Sequence, residues 1–184
     1  MSRYQLTKTI AMVGMMGAGK TAVGGLVAKL LDVPFLDSDH EIELAANLSV
    51  AEVFEQFGEH FFREKESLIL RRLMSGPPCV LSTGGGAYLQ DKNRDIIARY
   101  GVAVWLKADV ELLWSRVKSK DTRPLLNVPD PHARLLELDA QRRPFYEQAE
   151  IIVSAGPKLS AQEMAEKVVV ALENSDDRIV RKVA

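Results

Sequence analysis

The sequence has one cysteine, Cys79, in 184 residues, so no internal disulfide can form. That cysteine lies in an apolar stretch and reads as core. Three scattered histidines, His40, His60 and His132, show no zinc-ligand spacing. No apolar run approaches the ~20 residues of a membrane span. The N-terminus lacks a signal peptide's apolar core, which makes a cytoplasmic location the expectation. Neither sign of charge dominates: 24 Lys and Arg against 25 Asp and Glu leave a net charge of −1. There is therefore no electrostatic case for nucleic acid or an anionic membrane as partner. Internal repeats, low-complexity stretches and linkers are missing too. What remains, 47% hydrophobic and 27% charged, is the composition of an ordinary globule. The length suits a single α/β domain over 1–184 and is short for two.

Against these absences stands one strong motif. Gly14 to Thr21 reads Gly-Met-Met-Gly-Ala-Gly-Lys-Thr, a glycine followed by four residues and Gly-Lys-Thr. Thr9 to Val13 before it reads as a short buried strand. Ala22 to Leu31 after it carries a helical apolar face of Val23, Leu26, Val27, Leu30 and Leu31. Gly14, Gly17 and Gly19 let the backbone N–H groups, with those of Ala18 and Ala22, turn toward an anion at the helix's positive end. Lys20 can reach the β- and γ-phosphates, and the Thr21 hydroxyl can face Mg²⁺. A glycine-rich turn that binds nothing is the alternative.

A second strand, Pro34 to Asp37, ends in Asp37-Ser38-Asp39. In extended chain, residues i and i+2 face the same way, so both carboxylates are expected at one site on the sheet's C-terminal edge. The alternative is that one of them caps the helix that follows. Ser49-Val50-Ala51-Glu52 is a capping box, opening a short helix that Gly58 closes. A longer helix spans about 59–74, with Arg63 and Glu66 one turn apart. On spacing alone that pair reads as a solvated surface ion pair.

Cys79 to Ser82 is a buried-strand pattern running into Gly84-Gly85-Gly86. Either a ligand approaches the backbone there or the turn is simply flexible. The strand ends without the acid that many P-loop proteins use to hold a metal, which shifts weight to Asp37. Asp91 opens a helix ending at Gly101, 102–106 is a fourth strand, and Asp109 caps a helix to about 118. Residues 119–131, with three prolines and Arg123, form a candidate lid. A helix over 132–146 should kink or end near Pro144. Residues 151–153 form a fifth strand, and a second capping box at Ser160 opens the last helix. The polar tail 175–184 is expected to fray. Five strands alternating with helices argue a parallel sheet covered on both faces.

These parts suit phosphoryl transfer, which is mostly charge placement: a cradle, a metal held by Thr21 and Asp37, and cations from Lys20 and Arg123. Asp39 can orient or deprotonate an acceptor hydroxyl. No Asn-Lys-x-Asp segment reads guanine, which argues against a GTPase. A non-catalytic nucleotide sensor stays open, because a P-loop alone does not prove transfer.

From about residue 8 to 172 the sequence resembles the shikimate kinases. The resemblance rests on 14–21, on Asp-Ser-Asp at 37–39 and on Phe-Arg-Glu-Lys-Glu at 62–66. It rests also on Gly-Gly-Gly at 84–86, Arg-Pro-Leu-Leu at 123–126 and Arg-Arg-Pro-Phe-Tyr at 142–146. It implies a nucleoside-monophosphate-kinase-like fold with strand order 2-3-1-4-5 and a substrate-binding helical region over about 39–68. It implies transfer of the ATP γ-phosphoryl group to the 3-hydroxyl of shikimate, with Mg²⁺, on the way to chorismate and the aromatic amino acids. By that resemblance Asp37 and Thr21 would hold Mg²⁺, while Asp39 would bind the shikimate hydroxyls and is the candidate base. Arg63 and Arg142 would grip the carboxylate, Glu66 orienting Arg63. Gly84, Gly85 and Gly86 would line the acceptor, and Phe54 and Phe62 would wall the pocket. Arg123 would close from the lid, Arg116 would stack on adenine, and Pro157 and Lys158 fall in the adenine loop. Thr21 stands where many members carry serine and keeps the metal-binding hydroxyl. A monomer is expected, with a kinase of another hydroxy acid such as gluconate as the rival enzyme.

Overall fold

Five strands form one parallel sheet in the computed structural model of the chain, which describes residues 4–120, 124–175 and 179–183. The described strands are β1 (Tyr4–Leu6), β2 (Thr9–Val13), β3 (Phe35–Asp37), β4 (Val80–Ser82), β5 (Gly101–Lys107), β6 (Ile151–Ser154) and β7 (Val180–Lys182). The sheet runs β3-β4-β2-β5-β6, all parallel. Counted along the chain, its strands stand in the order 2-3-1-4-5, as the resemblance implied.

The helices are α1 (Lys20–Leu31), α2 (Ser38–Ala46), α3 (Val50–Met74), α4 (Asp91–Tyr100), α5 (Val110–Val117), α6 (Pro131–Tyr146) and α7 (Ala161–Glu173). From β2 the chain crosses by α1 toward β3, and from β4 it crosses by α4 toward β5, in the opposite direction along the sheet. Parallel crossovers are right-handed, so α1 and α4 lie on opposite faces. Packing agrees: α1 lies against α7, and α4 against α3. Every residue of β2 and β4, and all but the last of β5, is buried, which is why these strands read as unbroken apolar runs. No helix among the described residues is long and apolar enough to cross a membrane.

Local signals act where the sequence places them. Both capping boxes, Ser49–Glu52 and Ser160–Glu163, form with reciprocal hydrogen bonds. Gly58 sits at φ 81, ψ 173 and breaks α3 into the two helices expected on either side of it. Asp109 occupies the cap position of α5, but its side chain makes no capping bond. Helix α6 runs two residues past Pro144 before it ends.

The C-terminal tail departs from the reading as a frayed end. Val180–Lys182 pairs antiparallel with Tyr4–Leu6, and Ile179 and Val180 are buried with Leu6 in the main core. Two apolar residues near the terminus, too few for a periodicity, tie it down. Ile179→Ala should therefore cost about 2–4 kcal/mol, as deletions of buried Ile do. A urea midpoint equal to that of the parent would show that the segment has no fixed place.

Candidate active site

The C-terminal ends of β2, β3 and β4 converge on one cleft. The loop after β2 turns at Gly14 (φ 141), Gly17 (φ 79) and Gly19 (φ 94), conformations that side chains resist. A Cβ on Gly17 would also strike Val117 at 2.7 Å, so the loop is packed onto α5. No side chain caps α1. Its first-turn amides, which lack intrahelical acceptors, are thus oriented for an anion. Lys20 Nζ donates to the carbonyls of Gly14 (2.7 Å) and Met15 (3.0 Å), at the mouth of this cradle. Arg116 Nη1 donates to Gly17 O (3.0 Å) and Ala18 O (3.4 Å), which sets its guanidinium beside the cradle.

The acid pair meets by a route other than the expected one. Strand β3 stops at Asp37 and α2 begins at Ser38, so Asp39 lies in the first helical turn rather than in extended chain. Asp37 is the cap: its Oδ1 accepts from the N–H groups of Asp39 (3.0 Å) and His40 (3.2 Å). Its other oxygen accepts from the Thr21 hydroxyl at 3.4 Å. Burial first, and Asp37 second, push the Asp39 pKa above the ordinary carboxylate range, while Lys20 and Arg63 pull it down. Asp39 therefore feels both the cradle's lysine and the arginine of α3.

Glu66 is 1% exposed, so the Arg63–Glu66 pair is no surface pair. Arg63 Nη1 bonds both carboxylate oxygens, at 2.9 and 3.2 Å. Burial raises the Glu66 pKa, and Arg63 is the strongest influence opposing that rise. Arg142, on α6, is buried too.

The triple glycine brings these groups together. A Cβ on Gly84 would stand 2.8 Å from Asp39 Oδ1, one on Gly85 3.2 Å from Arg142 Nη1, and one on Gly86 2.5 Å from Arg63 Nη2. Three successive residues thus face three side chains carried by α2, α6 and α3. Close approach, rather than flexibility, explains the glycines. Phe62 is buried against Phe54, ring centroids 4.5 Å apart, in a small cluster of its own with Ile42 and Val53.

The profile of the shikimate kinase family matches residues 16–173. The chain belongs to the shikimate kinase family. A shikimate kinase from Ruegeria pomeroyi is 55% identical over 172 residues, 94% of this chain and 88% of its own. Another, from Cereibacter sphaeroides, is 55% identical over 173 residues, 94% of this chain and 86% of its own. The solved shikimate kinase from Acinetobacter baumannii in complex with shikimate is 39% identical, with a TM-score of 0.85 over 92% of this chain and 95% of that one.

Within this shikimate kinase fold, Arg123 lies outside the described residues, and Pro157 and Lys158 are exposed in the loop after β6. Several contributors escaped sequence reasoning. Ser82, in register with Asp37, sits 3.3 Å from the Thr21 hydroxyl, where the absent acid would have been. Ser38 Oγ accepts from Gly84 N–H at 3.3 Å, and Tyr146 donates to Gly85 O at 2.6 Å. Asn93 is wholly buried against Ser67. Only Ser82 follows an apolar run; Asn93 stands among charged residues, where no local pattern marks it.

Asp39 yields a pH test. A carboxyl whose folded pKa is raised stabilises the fold while protonated and loses that contribution as pH rises through the raised value. Asp39→Asn should therefore melt higher than the parent, by a margin that widens as pH climbs from about 4 to 8. Melting curves of ligand-free protein with a margin that narrows over that range would contradict the placement of Asp39.

Proposed function

We propose that the chain transfers the γ-phosphoryl group of ATP to the 3-hydroxyl of shikimate, toward chorismate and the aromatic amino acids. The observation that carries this reading is the convergence of Asp39, Arg63 and Arg142 on Gly84–Gly86, with Asp39 also within reach of the field of Lys20. A small acid with a planar carboxylate suits two guanidinium groups, which can bond it bidentately. Glu66 locks the Arg63 rotamer, Gly85 offers its N–H, and Phe54 and Phe62 supply an apolar wall. The carboxylate end of the acceptor thereby fixes the hydroxyl end at Asp39.

Asp39 then orients the hydroxyl and takes its proton. Its raised proton affinity suits that task. On the donor side, the cradle of Gly14, Gly17, Ala18, Gly19 and Ala22 holds the phosphates, and Lys20 offsets charge on the β- and γ-oxygens. Arg116, beside the cradle, is assigned to adenine with Lys158, and Arg123 to the phosphates through closure of the 119–131 segment. Those three assignments rest on the sequence resemblance. Exclusion of water by such a segment favours transfer over hydrolysis.

The donor set at the cradle fits Mg²⁺. Thr21 Oγ1 and Asp37 Oδ2, 3.4 Å apart, are hard oxygen donors. A single hydroxyl and a single carboxylate are what this ion commonly takes from a protein, water and phosphates filling the rest. Bound there, it would neutralise charge on the phosphate oxygens. The working unit is proposed to be a monomer in the cytoplasm, where ATP is supplied. Membership of the family favours neither a gluconate kinase nor a silent nucleotide sensor.

With Mg²⁺ and ATP, purified protein should release ADP when shikimate is added and not when gluconate is; the reverse pattern would reassign the substrate. Lys20→Ala should abolish transfer. Arg63→Ala should raise the shikimate KM by roughly 30- to 150-fold, the worth of a charged hydrogen bond, with the ATP KM unchanged. A rise in the ATP KM instead would place Arg63 on the wrong side of the cleft.

A further inference from the structure

Asn93 is 0% exposed in the first turn of α4, and none of the chemistry above uses it. Its amide is nonetheless fully engaged. The Ser67 hydroxyl donates to Oδ1 at 2.6 Å, and Nδ2 donates to the Ala87 carbonyl at 2.9 Å. Asn93 also favours the ionised form of the Glu66 carboxylate. An acceptor on the nitrogen side and a donor on the oxygen side fix which way the amide points.

Each partner adjoins a residue that holds Arg63: Ser67 follows Glu66, and Ala87 follows Gly86. Glu66 holds the guanidinium from behind through two contacts. Ala87 directly follows Gly86, the residue whose backbone lies against the same guanidinium. One side chain therefore ties α3, at the residue after the carboxylate that orients Arg63, to the backbone turn that Arg63 rests upon. An apolar residue of similar size would fill this space without the cost of burying an amide. We propose that Asn93 is a positioning residue for the acceptor, setting the Arg63 guanidinium against the Gly84–Gly86 turn by bonding Ser67, next to Glu66 on α3, to Ala87. The inference rests on the reading of that turn as the acceptor site.

The groups that bear on the Glu66 carboxylate are Arg63 from α3, Asp39 from α2 and Asn93 from α4. Without the amide, burial and Asp39 go on opposing ionisation with one fewer group against them. Glu66 then takes up a proton at a higher pH and releases its hold on Arg63.

Wild type, Asn93→Leu and Asn93→Asp are assayed by ADP release across pH, varying shikimate and ATP separately. Asn93→Asp keeps the shape but sets an acceptor against Ala87 O, so it serves if the leucine variant fails to fold. Ser67→Ala, which removes only the donor to Oδ1, gives a milder version of the same change. We expect the shikimate KM to rise about tenfold in the Asn93 variants, with the ATP KM within about twofold of wild type. We also expect the acid limb of kcat/KM for shikimate to move to higher pH. Lower melting temperatures with both KM values and the acid limb in place would make Asn93 purely structural and overturn the proposal. A wild type that ignores shikimate would take down the reading of the reaction, and this inference with it. An active wild type with unselective variants would take down the inference alone.

Discussion

A carboxylate that is 1% exposed must be compensated or lose its charge, and Glu66 governs how the acceptor side of this molecule is built. Arg63 supplies the compensation from one turn away on the same helix, and the Asn93 amide adds to it. A buried pair of this kind contributes little net stability beside an apolar substitute, because both ions surrender water. What it supplies is direction. The guanidinium is held from behind and pressed against the Gly86 backbone, leaving it little rotamer freedom to lose when an acid arrives.

The sheet order gives that arrangement its counterpart. Because the chain leaves β2 toward one side and β4 toward the other, the loops after both strands open into the same crevice. A phosphate cradle and a substrate turn, far apart in sequence, become neighbours for that reason alone. Packing joins them further. A Cβ on Gly14 would touch the Trp105 ring at 3.3 Å, Trp105 stacks on Tyr146 at 5.9 Å, and Tyr146 donates to Gly85 O. Burial lifts the Tyr146 pKa to about 12, so this hydroxyl stays a donor throughout the physiological range.

Much of this was legible because the relevant forces are local. The glycines of 14–19, the capping serines at 49 and 160 and the break at Gly58 each answer to backbone geometry within a few residues. Apolar runs marked the sheet strands for the same reason. The site was legible in parts: resemblance brought Arg63 and Glu66 forward, while spacing alone favoured the surface, since burial of a charge depends on what packs over it. The period of β3 misplaced Asp39, because a strand and a helix abut at Ser38 and the capping role of Asp37 decides the boundary. Ser82, Asn93 and Tyr146 act through partners 61, 26 and 61 residues away, and no local pattern carries such distances. Ile179 and Val180 were missed on similar grounds, for their partner strand lies at the other end of the chain.

That last pairing has a bearing on how the molecule is made. Tyr4 leaves the ribosome well before its strand partner Lys182. The five-stranded sheet can assemble as its strands emerge, but Leu6 waits until Ile179 and Val180 have emerged as well. Pairing of β1 with β7 therefore comes after the sheet, and a nascent chain stalled before Ser175 would keep an edge of its core unsealed.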